Sequence, residues 1–485
     1  MPSAFAPDIR HGNPPLPIAS VRQLTRVRYL HPTHQISTYR PMHTPICGFH
    51  QHFHRNRMAS TGIDRFPSTS FKGDPVSVSW RTELCDVTYI LYSLMHQICT
   101  SSVHINSLEF EKMATITLDA QNGPDQSSEI QDAMNSLKPE DTLVFNPGLY
   151  VHSKSLAVAA SWVTVTGYGA ELEATSADDQ SIIMSGDNTT IVGFKMTGTG
   201  STRLTTPNST KIQITGNGNQ VLHNTIRGGA SSGIFNFGGQ NSVIYLNDVS
   251  GTLADGIHVT YGARNVLIQG NTVTQTGDDM IAVVSYTGDG NPCKNVLIIG
   301  NNVSGNTWGR GITVVGGANV TITGNIVSDV RIGAGILVGQ EDSYATFDTS
   351  EVLITHNRIS NIQMDAPDDA TKQGGIEIGA DSGKVSFIEL TANTITNSFY
   401  EGIRVLGNVA QVRISGNTLI NIPEPGTPVT LLQNAGFEPV IIDGSNLLDG
   451  APLVPPPKSI ASGSFFITGA SAQLLPTITT SAMRL

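Results

Sequence analysis

Three aspartates and one arginine stand at spacings that could bring them together as a catalytic group. Asp278 and Asp279 are adjacent, Asp255 precedes them by about two dozen residues, and Arg310 follows. Carboxylates held close together repel one another, so at least one is expected to have a raised pKa. A protonated acid beside an ionised one is what cleavage of a glycosidic bond requires, because one group protonates the leaving oxygen while the other activates water or attacks carbon.

A short repeat predicts the structural elements that would position these side chains. Small residues followed by isoleucine recur between Gly233 and Ile403, and the short intervals are 23 or 24 residues. The isoleucines are Ile234, Ile257, Ile281, Ile312, Ile336, Ile376 and Ile403. A parallel column of asparagines comprises Asn224, Asn247, Asn271, Asn301, Asn325, Asn357, Asn393 and Asn417. Alternating apolar strands joined by Asn/Gly turns at this period predict an all-β fold, a parallel β-solenoid of about ten coils.

The repeat also predicts which residues lie on neighbouring coils. The residues two positions before each isoleucine are Ser232, Asp255, Asp279, Arg310, Ala334, Gly374 and Glu401. Adjacent parallel strands lie roughly 4.8 Å apart, so Asp255 and Asp279 should face each other, with Asp278 beside them. Acids in turns are often only solvated caps. Acids in register on two coils, next to Arg310 on a third, favour a functional site instead.

Composition excludes several other classes of protein. The chain of 485 residues has 49 glycines, 14% charged residues and a net charge of −11. These values suit a solenoid whose turns need positive φ, and they argue against a nucleic-acid partner, which would need a basic face. No apolar run is long enough to span a bilayer, so no membrane association is expected. The four cysteines show no CxxC or CxxH spacing, and no zinc site is expected.

The chain divides into three segments. Residues 1–112 hold nine of the thirteen histidines and no repeat. We interpret them as a disordered leader, or as sequence upstream of a start at Met113, and a His-rich metal tract is the alternative. Residues 113–422 form the predicted solenoid, and residues 423–485 are expected to form a C-terminal cap or tail.

Local motifs within the solenoid predict a cap at its N-terminal end and loops beside its site. Thr115–Leu118 is a predicted strand, and a capping box at Ser128–Gln131 predicts a short amphipathic helix that covers the open end. Three insertions interrupt the coils and are expected to build binding walls. They are Ser285–Lys294, Gln340–Ser350 and Gln363–Gln373.

Three of these motifs resemble those of the polygalacturonase-type glycoside hydrolases, within the pectate-lyase-like superfamily. Asp255–Ile257 (DGI), Gly277–Val283 (GDDMIAV) and Gly309–Ile312 (GRGI) are similar to the family's Asn-Thr-Asp-Gly-Ile, Gly-Asp-Asp-Cys-Ile-Ala-Ile and Gly-His-Gly segments. The resemblance implies a right-handed parallel β-helix. It further implies that Asp278 is the general acid, and that Asp255 and Asp279 activate water for inversion.

The same resemblance suggests substrate-binding residues. Gly402–Val405 is similar to the family's Arg-Ile-Lys segment, so Arg404 would bind a substrate carboxylate. Glu401 and Tyr286 are further candidates. His258 is a weaker one: strand alternation points it away from Ile257 toward a groove, but a structural role is the more common one for such a histidine. The chain departs from the family in having Arg310 where the family has histidine and Leu406 where it has lysine, which bears on galacturonan as the substrate.

Two other functions compete with hydrolysis, which would need no cofactor. In a lyase or epimerase that acts on a uronate polymer, Asp255, Asp278 and Asp279 would hold Ca²⁺ and Arg310 would take the proton. In a non-enzymatic carbohydrate-binding or adhesin solenoid, the acids would be dispensable. All three readings predict a polysaccharide partner and a monomer. The N-terminus lacks the pattern of a secretion signal, so an extracellular location is suggested by the substrate class alone.

Overall fold

The computed structural model describes residues 113–364, 371–422, 427–465, 467 and 476. The described chain is an all-β parallel solenoid of about 12 turns, slightly more than the ten expected. The predictions for residues 1–112 lie outside the described residues, as do residues 365–370 of the third insertion. No helix in the described ranges is long and apolar enough to cross a bilayer.

Each regular turn contributes one strand to each of three faces. The first face comprises Leu156–Val158, Ile182–Met184, Ile212–Ile214, Ile234–Phe237, Ile257–Thr260, Ile281–Val284, Ile312–Val315, Ile336–Gln340 and Thr427–Gln433. The second face comprises Thr115–Leu118, Thr142–Phe145, Thr164–Thr166, Thr190–Val192, Gln220–Leu222, Val243–Tyr245, Arg264–Gln269, Lys294–Ile299, Ala318–Thr323, Thr349–Thr355 and Ile441–Ile442. Two long strands, Ile376–Thr391 and Glu401–Ser415, continue from the first face into the second.

The third face consists of the strands that lie between the second-face strand of one coil and the first-face strand of the next. It comprises Gly148–His152, Ala170–Ala174, Lys195–Thr197, Thr225–Arg227, Asp248–Ser250, Thr272–Thr274, Asn302–Ser304, Ile326–Ser328, Arg358–Ile362, Thr394–Ser398, Thr418–Ile420 and Leu447–Leu448, with Ala451–Pro452 antiparallel at its end. Parallel pairing continues past residue 422, because Thr427–Gln433 pairs with Glu401–Ser415. Within the described residues there are three short 3-10 helices, Pro207–Ser209, Thr287–Asp289 and Asp342–Tyr344.

The predicted isoleucine ladder is confirmed and forms the centre of the core. Ile234, Ile257 and Ile281 are direct partners on successive coils. The ladder continues through Ile312, Ile336, Ile376 and Ile403. All seven side chains are fully buried. Because the side chains of a strand alternate between its two sides, the neighbours of each isoleucine on the first face point away from this core. Several of them, such as Ala282, Thr313 and Leu337, are nevertheless buried.

The asparagine column stabilises the turns between the second and third faces, as the sequence predicts. Asn271 is typical: its Nδ2 donates to Asn301 Oδ1 at 2.9 Å and to the Ile244 carbonyl at 3.0 Å. Its backbone N–H donates to the same Asn301 oxygen at 2.9 Å. The column extends one coil beyond the prediction, to Asn446. Stacked amides thus satisfy backbone groups that water cannot reach.

The N-terminal helix is present, but its predicted capping box is wrong. The helix spans Ser127–Asn135, and Ile130 and Met134 pack their buried side chains over the end of the core. Ser128 lies inside the helix rather than before it. The first free N–H of the helix, that of Ser127, donates to Asp125 Oδ1 at 2.9 Å. The side chain of Asp125, rather than that of Ser128, therefore accepts a free N–H at the start of the helix.

Candidate active site

The candidate site lies where the chain turns from the third face into the first. Asp255, Asp279 and Arg310 each sit two residues before a first-face strand on three consecutive coils. Their backbones are joined by the coil-to-coil hydrogen bonds: Gly256 N–H donates to the Asp279 carbonyl at 3.1 Å, and Met280 N–H donates to the Arg310 carbonyl at 3.0 Å. The repeat therefore fixes their spacing rigidly.

The three aspartates converge. Asp255, Asp278 and Asp279 each offer a carboxylate oxygen, and these oxygens lie within 4.8 Å of one another. Asp255 and Asp279 are each only 6% exposed. Burial raises the pKa of Asp278, and the charge of Asp255 raises it further. Burial also raises the pKa of Asp279, to about 7, although Arg310 opposes the rise. The cluster therefore retains a proton to near neutral pH.

Each carboxylate of the cluster has its own hydrogen-bonding partner. Asp255 Oδ2 lies 2.6 Å from His258 Nδ1, and Asp279 Oδ1 accepts the backbone N–H of Arg310 at 2.7 Å. Asp278 Oδ2 accepts from Arg203 at 2.6 Å. These contacts hold the three groups in distinct orientations, so the cluster is a set of chemically different acids rather than three equivalent ones.

A glycine makes the close approach of the third coil possible. Gly309 has a φ of 77°, and a β-carbon there would lie 2.5 Å from Asp278 Oδ1 and 2.6 Å from the Asp279 nitrogen. Any larger residue would push the aspartates aside. Steric crowding therefore explains why the first residue of the Gly-Arg-Gly segment is glycine.

The guanidinium of Arg310 is hydrogen-bonded to two residues outside the aspartate cluster. Its Nη2 donates to Glu341 Oε1 at 2.8 Å, and its Nε donates to Gln373 Oε1 at 3.4 Å. Glu341 and Gln373 belong to the second and third predicted insertions, which therefore do contribute to the wall of the site. It is the backbone of Arg310, not its side chain, that hydrogen-bonds to Asp279.

The other predicted binding residues occupy the surroundings. Arg404 forms a bidentate ion pair with Glu377, with Nε–Oε2 and Nη2–Oε1 distances of 2.8 and 2.9 Å. Glu401 Oε2 lies 3.7 Å from Arg404 Nη1. Tyr286 is part-buried beside the cluster, where burial raises its pKa and the charge of Asp255 adds to the rise.

Sequence reasoning missed Arg203 and Glu377. Arg203 lies in the loop between the strand Lys195–Thr197 and the 3-10 helix Pro207–Ser209, 75 residues from its partner Asp278, and no motif marks it. Glu377 could have been predicted from the sequence. It directly follows Ile376 of the isoleucine ladder, points outward, and is the register partner of Arg404 on the next coil. An opposite charge at that register is a signal for an ion pair.

Comparison with protein families identifies the class of the chain. The sequence model described as "Right handed beta helix region" matches residues 168–327 and 261–419, which together span slightly more than half of the chain. The chain therefore belongs to this family, and the predicted resemblance to right-handed parallel β-helix proteins is confirmed. No curated protein sequence is significantly similar to it.

Solved structures share the fold at low sequence identity. The catalytic domain of a GH87 alpha-1,3-glucanase in complex with nigerose aligns with a TM-score of 0.53 and 15% identity, over 71% of this chain and 66% of that one. A hyperthermoactive exopolygalacturonase from Thermotoga maritima aligns with a TM-score of 0.52 and 11% identity, over 70% and 94%. The chain thus spans just under two thirds of the glucanase domain. Both likenesses concern the fold.

Proposed function

We propose that the protein is a glycoside hydrolase that cleaves a polysaccharide. The observation that carries the proposal is the group of three carboxylates within 4.8 Å, two of which have raised pKa values. Support also comes from two solved structures with the same fold, a glucanase domain and an exopolygalacturonase, whose names describe enzymes that cleave glycosides. Such a cluster supplies a proton donor and a base in one place, which is the chemistry of glycosidic hydrolysis.

We assign the proton donor to Asp278. Its side chain is 20% exposed, whereas that of Asp255 is 9% exposed, so it is the more accessible of the two to a leaving oxygen. Asp255 and Asp279, on adjacent coils, would hold the attacking water between them. His258, 2.6 Å from Asp255, would keep that carboxylate oriented.

Inversion of the anomeric carbon follows from this division of roles, because water rather than a carboxylate attacks. The oxygen separations of up to 4.8 Å are nearer to the roughly 5 Å between carboxyl groups of retaining enzymes than to the roughly 6.5–9.5 Å of inverting ones. Nuclear magnetic resonance of the first product decides the matter. The opposite anomer supports water attack, and the same anomer would make one aspartate a nucleophile.

The proposal is tested by incubating the protein with a panel of polysaccharides and measuring new reducing ends. The turnover of the variant Asp278→Asn should be lower by a factor of about 10²–10⁴, because the proton donor is gone. The matched control is Asp248→Asn, which removes a carboxylate that pairs with Arg227 on the third face. Full turnover by Asp278→Asn would refute the assigned role, and a cluster that binds glycans without cleaving any would favour a binding solenoid.

A Ca²⁺-dependent lyase or epimerase is the second candidate, favoured by the same cluster. Three carboxylate oxygens within 4.8 Å could share a divalent cation. The cluster is already engaged elsewhere, since Asp278 pairs with Arg203 and Asp279 accepts the Arg310 N–H. Hydrolysis predicts activity that survives EDTA and products without ultraviolet absorbance. A lyase predicts the opposite on both counts.

A further inference from the structure

Aromatic rings form a continuous strip on the first face, next to the carboxylates. Phe235 and Phe237 point outward from one strand, with ring centroids 5.4 Å apart and planes 21° from parallel. Phe237 stacks on Tyr261 of the next coil at 4.4 Å and 27°. We call Phe235, Phe237 and Tyr261 the aromatic strip. Its two phenylalanines are half-buried, and Tyr261 is 49% exposed.

The aromatic strip connects directly to the candidate active site. Phe235 and His258 are register partners on adjacent coils, and their ring centroids are 5.3 Å apart. His258 in turn lies 2.6 Å from Asp255. A ligand lying on the rings would therefore extend straight to the carboxylates.

Tyr261 is held in a conformation that a side chain normally avoids. Because Phe237 pairs with Thr260, the residues after them, Gly238 and Tyr261, occupy corresponding positions on neighbouring coils. Gly238 has a φ of 80° and Tyr261 a φ of 58°. The left-handed conformation favours glycine, and Gly238 indeed has it. An exposed tyrosine in the same conformation contributes little to the core, which points to a surface role.

The charges around the site disfavour an anionic ligand. Each of three arginines on this face already contacts a carboxylate. The pairs are Arg203–Asp278, Arg310–Glu341 and Arg404–Glu377, with nitrogen–oxygen distances of 2.6, 2.8 and 2.8 Å. Asp255, whose partner is His258, and Glu401, which lies 3.7 Å from Arg404, add two more carboxyl groups to these three pairs. The acidic excess would repel a polyuronate chain as it approached.

We propose that the aromatic strip is a binding subsite for the apolar faces of neutral sugar rings. The glycan would lie across the first face, parallel to its strands, and lead from Tyr261 past His258 to Asp255 and the other carboxylates. This inference rests on the proposed hydrolase, and it names the substrate class as a neutral glycan rather than a uronate polymer. Rigid aromatic faces offer apolar contact area at low entropic cost, which suits the C–H surface of a pyranose.

Affinity electrophoresis in gels containing neutral polysaccharides (glucans, mannan, xylan and galactan) or polyuronates tests the proposal. The protein used is Asp278→Asn, so that no polymer is cut. At least one neutral polymer should retard it, and polyuronates should not. Adding Tyr261→Gly should weaken that binding about tenfold, since a stacked ring pair contributes of this order. Adding Tyr261→Trp should retain it.

The matched control is Trp162→Gly. Trp162 is likewise exposed, at 61%, and has a φ of 63°, but it lies on an N-terminal coil away from the strip. Both glycine variants remove a ring and relax a left-handed residue, so neither should lower the melting temperature. Unchanged binding by Tyr261→Gly, equal loss in Trp162→Gly, retardation by polyuronates instead, or retardation by no neutral polymer would each overturn the subsite.

The outcome separates this inference from the proposed hydrolase. If the wild-type protein cleaves a neutral glycan and Tyr261→Gly leaves KM unchanged, the subsite is wrong and the hydrolase stands. If neutral glycans bind through Tyr261 but are never cleaved, the subsite stands and the hydrolase is wrong.

Discussion

Two columns of stacked polar residues run along the same solenoid, and they follow opposite physical rules. In the asparagine column each amide both donates and accepts, so every added coil satisfies backbone groups of the one before. In the aspartate cluster like residues stack with oxygens within 4.8 Å, and burial raises the pKa values of Asp278 and Asp279. The first column stabilises the fold. The second destabilises it at neutral pH, which is the expected signature of residues kept for chemistry.

The variant Asp279→Asn should sharpen this contrast most. Turnover on an active polysaccharide should fall by a factor of about 10²–10⁴, because one of the two carboxyl groups proposed to hold the attacking water is lost. Stability should move the other way. A carboxyl whose pKa is raised on folding costs stability as pH rises from its unfolded value near 4 to about 7, and the variant removes that cost. Its amide oxygen can still accept the Arg310 N–H.

Thermal unfolding between pH 4 and pH 8 measures this effect. The melting temperature of Asp279→Asn should exceed that of the wild-type protein at pH 7, and the two should converge near pH 4. Asp248→Asn, on the third face, should show no such pH-dependent gain. A lower melting temperature for Asp279→Asn at pH 7 would mean that the buried acid stabilises the fold.

Gly309→Ala should disturb the cluster without changing any ionisable group. The new β-carbon would lie within 2.6 Å of Asp278 Oδ1 and the Asp279 nitrogen, and the left-handed φ of 77° disfavours alanine as well. We expect a loss of about 1–3 kcal/mol in unfolding free energy and a clear drop in kcat. Gly305→Ala is the control, because it has a similar φ of 76° but open space around its β-carbon. Equal kcat values in the two variants would show that Gly309 is not needed to position the aspartates.

Asn271→Ala breaks the other column. It leaves the Asn247 N–H and the Ile244 carbonyl without the partners they have now, at a cost of about 1–3 kcal/mol. Chemical denaturation should report this loss, while kcat of the folded protein should stay unchanged. An Asn271→Ala protein as stable as the wild type would show that the stacked amides do not support the turns.

Arg203→Gln should have the smallest effect, a shift in pH dependence. The charge and hydrogen bond of Arg203 lower the pKa of Asp278, so their removal raises it. A general acid with a higher pKa stays protonated to higher pH, and the alkaline limb of the kcat/KM profile should move upward. Arg227→Gln, which breaks the pair with Asp248, is the control. A downward shift would contradict Asp278 as the proton donor.

The sequence predicted the parts of this molecule that depend on the repeat. Constant spacing encodes register, so the burial of the isoleucine ladder and the meeting of Asp255 with Asp279 could both be read in advance. Arg203 could not, because it reaches Asp278 from a loop 75 residues earlier and tertiary folding alone sets that contact. The partner of Arg404 was also missed, since the family resemblance directed attention to a substrate carboxylate rather than to Glu377. The capping box failed because Asp125 Oδ1 accepts both the backbone N–H and the hydroxyl of Ser127, and the helix begins one residue before Ser128.

The proton retained by the aspartate cluster is the most direct test of the account. Carbon-13 nuclear magnetic resonance of aspartate-labelled protein follows each carboxyl carbon as pH is raised. We predict one carboxyl signal that titrates near neutral pH in the wild-type protein and is lost in Asp279→Asn, with the remaining titrations simplified because the acids no longer interact. If all aspartates instead titrate independently near pH 4, the cluster holds no proton for catalysis and is a structural turn.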